Sequence, residues 1–207
     1  MKGWTGVNIE PIEKWYLQFL DKRPKDINLN IGVSNVEDTL EFYRIFSDVD
    51  KKEDTLSTFN KEILESSIKQ GFTSYETIKI PVTTLNKVLE KNNIQDIDFL
   101  KIDVEGTERE VLMGIDLKKY RPKVFVIEAT EPNGPIPNDY LWKDLMVDNN
   151  YIFVLNDGLN HYYIAREHYK KLIPKFIDAF NCAVKSNYKY HILNHPMLFS
   201  YPYDSNL

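Results

Sequence analysis

The run Asp98-Phe-Leu-Lys-Ile-Asp-Val-Glu-Gly106 constrains this chain more than any other stretch of it. Phe99, Leu100, Ile102 and Val104 make a short apolar run with β-branched members, the pattern of a strand covered on both faces in a parallel sheet. Asp103 and Glu105 stand where that strand stops, and Gly106 permits a sharp exit into the helical pattern that begins at Thr107. In open α/β sheets ligands bind at the carboxyl ends of strands, which points both carboxylates toward a functional site. Helix N-termini also attract negative charge, so the competing reading makes the two acids simple helix-start residues.

The rest of the chain reads as alternating strands and helices. Val7–Glu10 is a short strand ended by Pro11, and a helix carrying Trp15, Phe19 and Leu20 follows, stopping near Arg23-Pro24. Ile27–Val33 is a second strand, and Leu40, Phe42 and Ile45 mark a third that faces a polar exterior. A charged, solvated loop spans Asp48–Asp54. Lys61–Gln70 is helical with Gly71 as its stop, Tyr75–Val82 is a strand, and Thr84 starts a helix with Leu85, Val88 and Leu89. Beyond the central strand and its helix, Lys123–Glu128 is a fully buried strand, Ala129–Asn138 a proline-rich loop and Asp139–Asn149 a helix. Tyr151–Leu155 and His161–Ala165 form a hairpin around Asn156-Asp-Gly158. Ile173, Phe176, Ile177, Phe180 and Val184 stripe a last helix. This rhythm predicts an α/β fold with a doubly wound, mostly parallel sheet and one antiparallel strand. The expected division is an α/β domain over residues 1–166, with a C-terminal helix and aromatic tail, 167–207, packed on it.

Composition narrows the function. The 207 residues are 43% hydrophobic and 28% charged, enough for a sizeable core. With 26 basic against 31 acidic residues, the net charge of −5 argues against a nucleic acid or an anionic membrane as partner. No apolar run approaches the ~20 residues of a membrane span, and the N-terminus lacks the apolar core of a secretory signal. Cys182 stands alone, which excludes an internal disulfide and a thiolate zinc site. A soluble, cytoplasmic protein is expected, free to form a homo-oligomer. Among His161, His168, His191 and His195 the one pair four apart, His191 and His195, lies on a Pro-broken tail, so no metal site is assigned. Asp103, Glu105 and Glu128 could offer oxygen ligands to a divalent cation, but helix-start and supporting roles are commoner for such acids. The aromatic tail, Tyr188–Tyr203, is expected to pack over the domain or a partner.

Three strand ends therefore carry acids: Glu10, Asp103 with Glu105, and Glu128. An acid ending the second strand of a nucleotide-binding sheet accepts hydrogen bonds from ribose hydroxyls, a role Glu10 fits, although a helix-start acid would look the same.

The order of segments resembles the FkbM family of S-adenosylmethionine-dependent methyltransferases. The resemblance is carried by Gly3-Trp-x-Gly-Val-x-Ile-Glu-Pro11, Asn28-x-Asn30, Val33-Ser34, Leu56-Ser-Thr-Phe59 and Val82-x-Thr-Leu85. It continues through Asp98–Gly106 with Glu108, Val111-Leu112, Arg121-Pro122 and Val126-x-Glu128, and covers residues 3 to about 165. It implies a class I, Rossmann-like methyltransferase fold, S-adenosylmethionine as cofactor, and O-methylation of a sugar or small-metabolite acceptor. Carried over, Glu10 would hold the cofactor ribose and Ser34 would lie near the adenine. Asp103 and Glu105 would face the methyl-transfer centre, and Glu128 would line the substrate side. The family's first strand bears a glycine turn that cradles the methionine end of the cofactor, whereas only nine residues precede Glu10 here. The expectation is thus a sheet without its first strand, either in a fragment whose start lies upstream or in a shortened protein that is a weak methyltransferase or a catalytically impaired remnant serving as a binding subunit.

Overall fold

In the computed structural model, which describes residues 5–46, 56–72, 74–132 and 134–185 and the backbone alone over 180–185, the chain forms two compact units. One joins Met1–Gln95 to Val104–Asp116, the other Asp96–Asp103 to Leu117–Leu207.

In the first unit, strands β1 (Val7–Ile9) and β2 (Ile27–Leu29) pair in parallel, joined by helix α1 (Glu13–Lys22). So short a sheet depends on side chains for its backbone groups. Asn8 donates to Asn28 and Asp26, and Asn28 donates to the carbonyls of Arg23 and Asp26. Asn30 reaches the carbonyls of Glu10 and Pro11. The expected strand 27–33 is broken here. Its second part, β3 (Gly32–Val33), joins a different sheet of order β3-β5-β4, made with β4 (Asp38–Phe46) and β5 (Ser74–Thr83). Strand β4 runs antiparallel to β5 from Asp38↔Val82 to Phe46↔Ser74.

The polar exterior expected of β4 is also corrected. Phe42 packs with Ile12 and Ile80 on one side, while Tyr43 and Ile45 pack with Leu56 and Leu64 on the other. From Phe42 onward the strand is therefore buried on both faces, where a neighbouring segment bridges back to it through Tyr43↔Thr58, while Asp38, Thr39 and Glu41 stay exposed. Helix α2 (Lys61–Lys69) is capped by Asn60 and stops at Gly71, whose φ of +106° suits glycine. Helix α3 (Leu85–Lys91) starts on the Thr84 hydroxyl, as its sequence predicts. Helix α4 (Glu108–Met113) ends on Gly114, where the chain passes the Ser34 carbonyl so closely that a Cβ would collide with it. The expected loop at Asp48–Asp54 lies outside the described residues.

The second unit is one sheet of order β6-β7-β9-β8, from β6 (Phe99–Ile102), β7 (Val124–Glu128), β8 (Tyr151–Asn156) and β9 (Asn160–Ala165). Parallel pairing is confined to β6 and β7; β7–β9 and β8–β9 are antiparallel. The α/β class expected from the βαβ rhythm holds, but the described residues form separate sheets, two of them mixed, rather than one doubly wound, mostly parallel sheet. Among the described residues strand β6 lies at the edge of its sheet, and with Phe99 55% exposed and Lys101 exposed on the same face the expectation of cover on both faces fails for it.

Strand alternation sorts the two faces. Phe125, Ile127, His161, Tyr163 and Phe153 share one face. Trp142 and Met146, from the segment holding helix α5 (Lys143–Asp148), are fully buried, and Trp142 lies edge-on to His161 and Tyr163. On the opposite face helix α6 (Arg166–Lys185) sets Phe176 against Tyr162. The helix expected over 139–149 is a 3₁₀ turn, Asp139–Leu141, followed by α5.

Arg121 fastens the start of α6. It makes a two-pronged contact with Glu167, donates to the carbonyls of Leu117 and Asn149, and stacks over Tyr151. Its guanidinium holds the Glu167 carboxyl down at about 2. Among the described residues, no helix is long and apolar enough to cross a membrane.

Gly114→Ala is expected to destabilise the protein by about 1–3 kcal/mol, because the new methyl meets backbone rather than a side chain that can rotate away. An unchanged urea midpoint would show that the Ser34 segment yields freely.

Candidate functional site

In the second unit, the register that pairs Lys101 with Val126 and Ile102 with Ile127 brings the carboxyl ends of β6 and β7 level. Asp103 follows one strand end and Glu128 closes the other, and their carboxylates lie within 4.8 Å of one another. Two like charges at such a distance repel by on the order of 1–4 kcal/mol, between bulk-water and near-surface screening. Lys101, two residues before Asp103 and so on the same face, sets its Nζ 2.9 Å from Asp103 Oδ2.

Lys101 also donates to Asn160 Oδ1 at 2.8 Å, spanning β7 to reach β9, where Asn160 stands opposite Glu128. The turn after β8 sets the Asn160 amide. Its Nδ2 points at both oxygens of Asp157, at 3.4 and 3.2 Å. Asp157 further accepts the backbone N–H groups of Leu159 and Asn160 and the Tyr162 hydroxyl. Burial opposes ionisation of Asp157, but these donors outweigh it and hold the carboxyl below its ordinary range.

The other proposed site residues belong to the first unit. Glu10 ends β1, where its Oε1 accepts the N–H of Ile12 at 2.8 Å, so the helix-start role weighed for it is realised in part. Ser34 is buried; its N–H donates to the Thr83 carbonyl and its hydroxyl to Asn35. Glu105 occupies a left-handed conformation, φ +54°, with its carbonyl held by the Thr58 hydroxyl at 2.7 Å. Gly106 continues the turn at φ +94°, where a Cβ would stand 3.0 Å from Ile63.

The acid that braces this turn is Glu108, which no role was assigned from sequence. Only 2% exposed, it accepts the N–H groups of Gly106 and, more distantly, Val104. Its signal was its place one residue beyond Gly106-Thr107, where a side chain can reach back over the turn. Helix α4 has no side-chain cap at Thr107, and Asp103 is engaged by Lys101, so helix capping does not account for Asp103.

His161 is a packing residue among aromatic rings. Burial lowers its proton affinity, which keeps the imidazole neutral near pH 7. The paired histidines 191 and 195 and the aromatic tail fall outside the described residues. An open cleft of about 540 Å³ beside Leu117 and Asn150 is walled by Arg121 and Glu167, already bonded to each other.

Residues 1–153 match the family described as Methyltransferase FkbM domain. Neither a curated protein nor a solved structure matches the chain.

Asp157→Asn is expected to cost about 1–3 kcal/mol at pH 7, as a half-buried acceptor of several hydrogen bonds is replaced by an amide that also donates. The folded-state carboxyl is shifted down, so its contribution is full above the unfolded value of about 3.9 and fades as pH falls through the folded one. The gap between parent and variant should therefore close in acid. Urea midpoints compared from pH 7 to pH 3 would expose a gap that stays constant, which would refute the ionised-acceptor role.

Proposed function

The chain belongs to the FkbM methyltransferase family, and on that premise we propose that it methylates a hydroxyl oxygen of a sugar or small-metabolite acceptor, with S-adenosylmethionine as cofactor. The observation that carries this reading is the Asp103–Glu128 carboxylate pair at adjacent strand ends of the second unit. The donor set suits the cofactor's chemistry, since carboxylates favour a cationic sulfonium and ammonium and accept bonds from ribose hydroxyls. When bound, S-adenosylmethionine supplies an electrophilic methyl group on that sulfonium.

The protein's part is to position and to move one proton. In that transfer the acceptor oxygen would replace sulfur on the methyl carbon, with Asp103 and Glu128 holding the acceptor. The hydroxyl proton passes to Asp103, which acts as general base, while Glu128 orients the acceptor. A neutral hydroxyl fits this pair better than a carboxylate acceptor, which two acids would repel. In the first unit Glu10 is assigned to the ribose hydroxyls, Ser34 to the adenine end and Glu105 to support of the strand-end turn.

The test is transfer of labelled methyl from S-adenosylmethionine to a panel of methyl glycosides, phenols and aliphatic alcohols. Asp103→Asn should lower turnover about 10²-fold while the melting temperature stays within a few degrees, because an exposed-edge carboxylate contributes little packing. Turnover that persists while the melting temperature drops would return Asp103 to a structural role. No transfer to any acceptor, with S-adenosylmethionine bound normally, would favour a binding subunit instead.

Glu10→Gln keeps an oxygen for the Ile12 N–H and removes the charge. It should weaken S-adenosylmethionine by about 1.5–3 kcal/mol. Unchanged affinity by calorimetry, in a protein with parental circular dichroism, would take Glu10 out of the cofactor site.

A further inference from the structure

We propose that Lys101 and Asn160 are positioning residues that fix the Asp103 carboxylate, so that the hairpin between β8 and β9 sets the geometry of the strand-end acids. This rests on the reading above that Asp103 serves the cofactor and the acceptor proton.

The geometry is a relay. Asp157 carries no proton to donate, so the Asn160 amide must turn its NH₂ toward Asp157, and its carbonyl oxygen then faces away. That oxygen takes the Lys101 ammonium at 2.8 Å, which in turn holds Asp103 at 2.9 Å. Tyr162 fixes the far end by donating to Asp157 at 2.8 Å, and it is itself packed by Phe176.

Three features separate this from an ordinary surface ion pair. The lysine has two partners on two different strands, which removes the freedom that makes exposed pairs weak. The amide that meets it has its orientation dictated by a second carboxylate. The whole chain of contacts lies on the face and at the strand ends where Asp103 and Glu128 approach each other. A lone ammonium would swing between the two acids; one held by Asn160 stays at Asp103 and leaves the carboxylates in a defined arrangement.

The experiment compares the full chain with Lys101→Met, Lys101→Arg, Asn160→Leu and Asp103→Asn by titration with S-adenosylmethionine. In parallel, a brief pulse of acetic anhydride is read residue by residue by mass spectrometry. Lys101→Met and Asn160→Leu are expected to weaken S-adenosylmethionine at least threefold at unchanged melting temperature. Lys101→Arg should stay within a factor of two of the parent. Acetylation of Lys101, relative to the other lysines, should rise at least threefold in both Asn160→Leu and Asp103→Asn.

A Lys101 acetylation rate that is the same in all three proteins overturns the relay, whatever the cofactor does. If Asp103→Asn weakens binding while Lys101→Met and Asn160→Leu do not, the positioning role falls and the functional reading stands. If Asp103→Asn leaves affinity untouched, Asp103 does not serve the cofactor and the positioning role toward it falls; if the parent binds no S-adenosylmethionine, the functional reading falls and takes the positioning role with it.

Discussion

The antiparallel ladder between Val124–Glu128 and Asn160–Ala165 is the constraint on which the second unit depends, because a strand sends alternate side chains to opposite faces. One register places Phe125 and Ile127 beside Tyr163 and His161, so that Trp142 closes an aromatic layer over them. The same register places Glu128 opposite Asn160 and Val126 opposite Tyr162 on the other face. A slip of one residue would turn Glu128 and Asn160 toward the tryptophan and take Phe125 and Ile127 out of the aromatic layer, at a cost of several kcal/mol for each misplaced group. The hydrophobic face thus fixes the polar one.

That polar face works by geometry more than by energy. An exposed lysine–carboxylate pair contributes at most about 1 kcal/mol, and the Lys101–Asp103 contact adds little to stability. Its value lies in where it holds a charge. Asp157 sits at the turn of the hairpin with four donors around it, and the direction it imposes on Asn160 is passed to Lys101 and on to Asp103. The first unit uses the same device. Glu108, almost fully buried, accepts the N–H groups of the turn that follows Asp103, and Thr58 holds the carbonyl of Glu105 there. Residues that read as a catalytic signature are in part a means of holding a tight, left-handed turn in one shape.

Local signals were legible where a short segment decides its own conformation. The Asn156-Asp-Gly158 turn, the Thr84 helix start and the Gly71 stop all rest on caps, turn residues or alternation. Two expectations failed for reasons that lie outside the segment. Strand β6 reads as buried, yet Phe99 and Lys101 leave one face exposed, since apolar residues in a run do not say what will cover the strand. Ile27–Val33 reads as one strand, yet Asn30 is drawn back to the Glu10 and Pro11 carbonyls and the chain changes sheets across it.

The strand-end acids were legible as candidates because residue type and position suffice to nominate a carboxylate: Asp103 and Glu128 end apolar runs, and the family resemblance names the same positions. By itself the sequence determined the local elements, the acids at their ends and membership of the FkbM family. It did not determine that Asp103 and Glu128 would come within 4.8 Å, or that a lysine would reach across β7 to join Asp103 to Asn160. Those outcomes depend on strand register and on contacts between residues 25 (Asp103, Glu128) and 59 (Lys101, Asn160) apart in the chain. Only the folded backbone brings such residues within hydrogen-bonding distance.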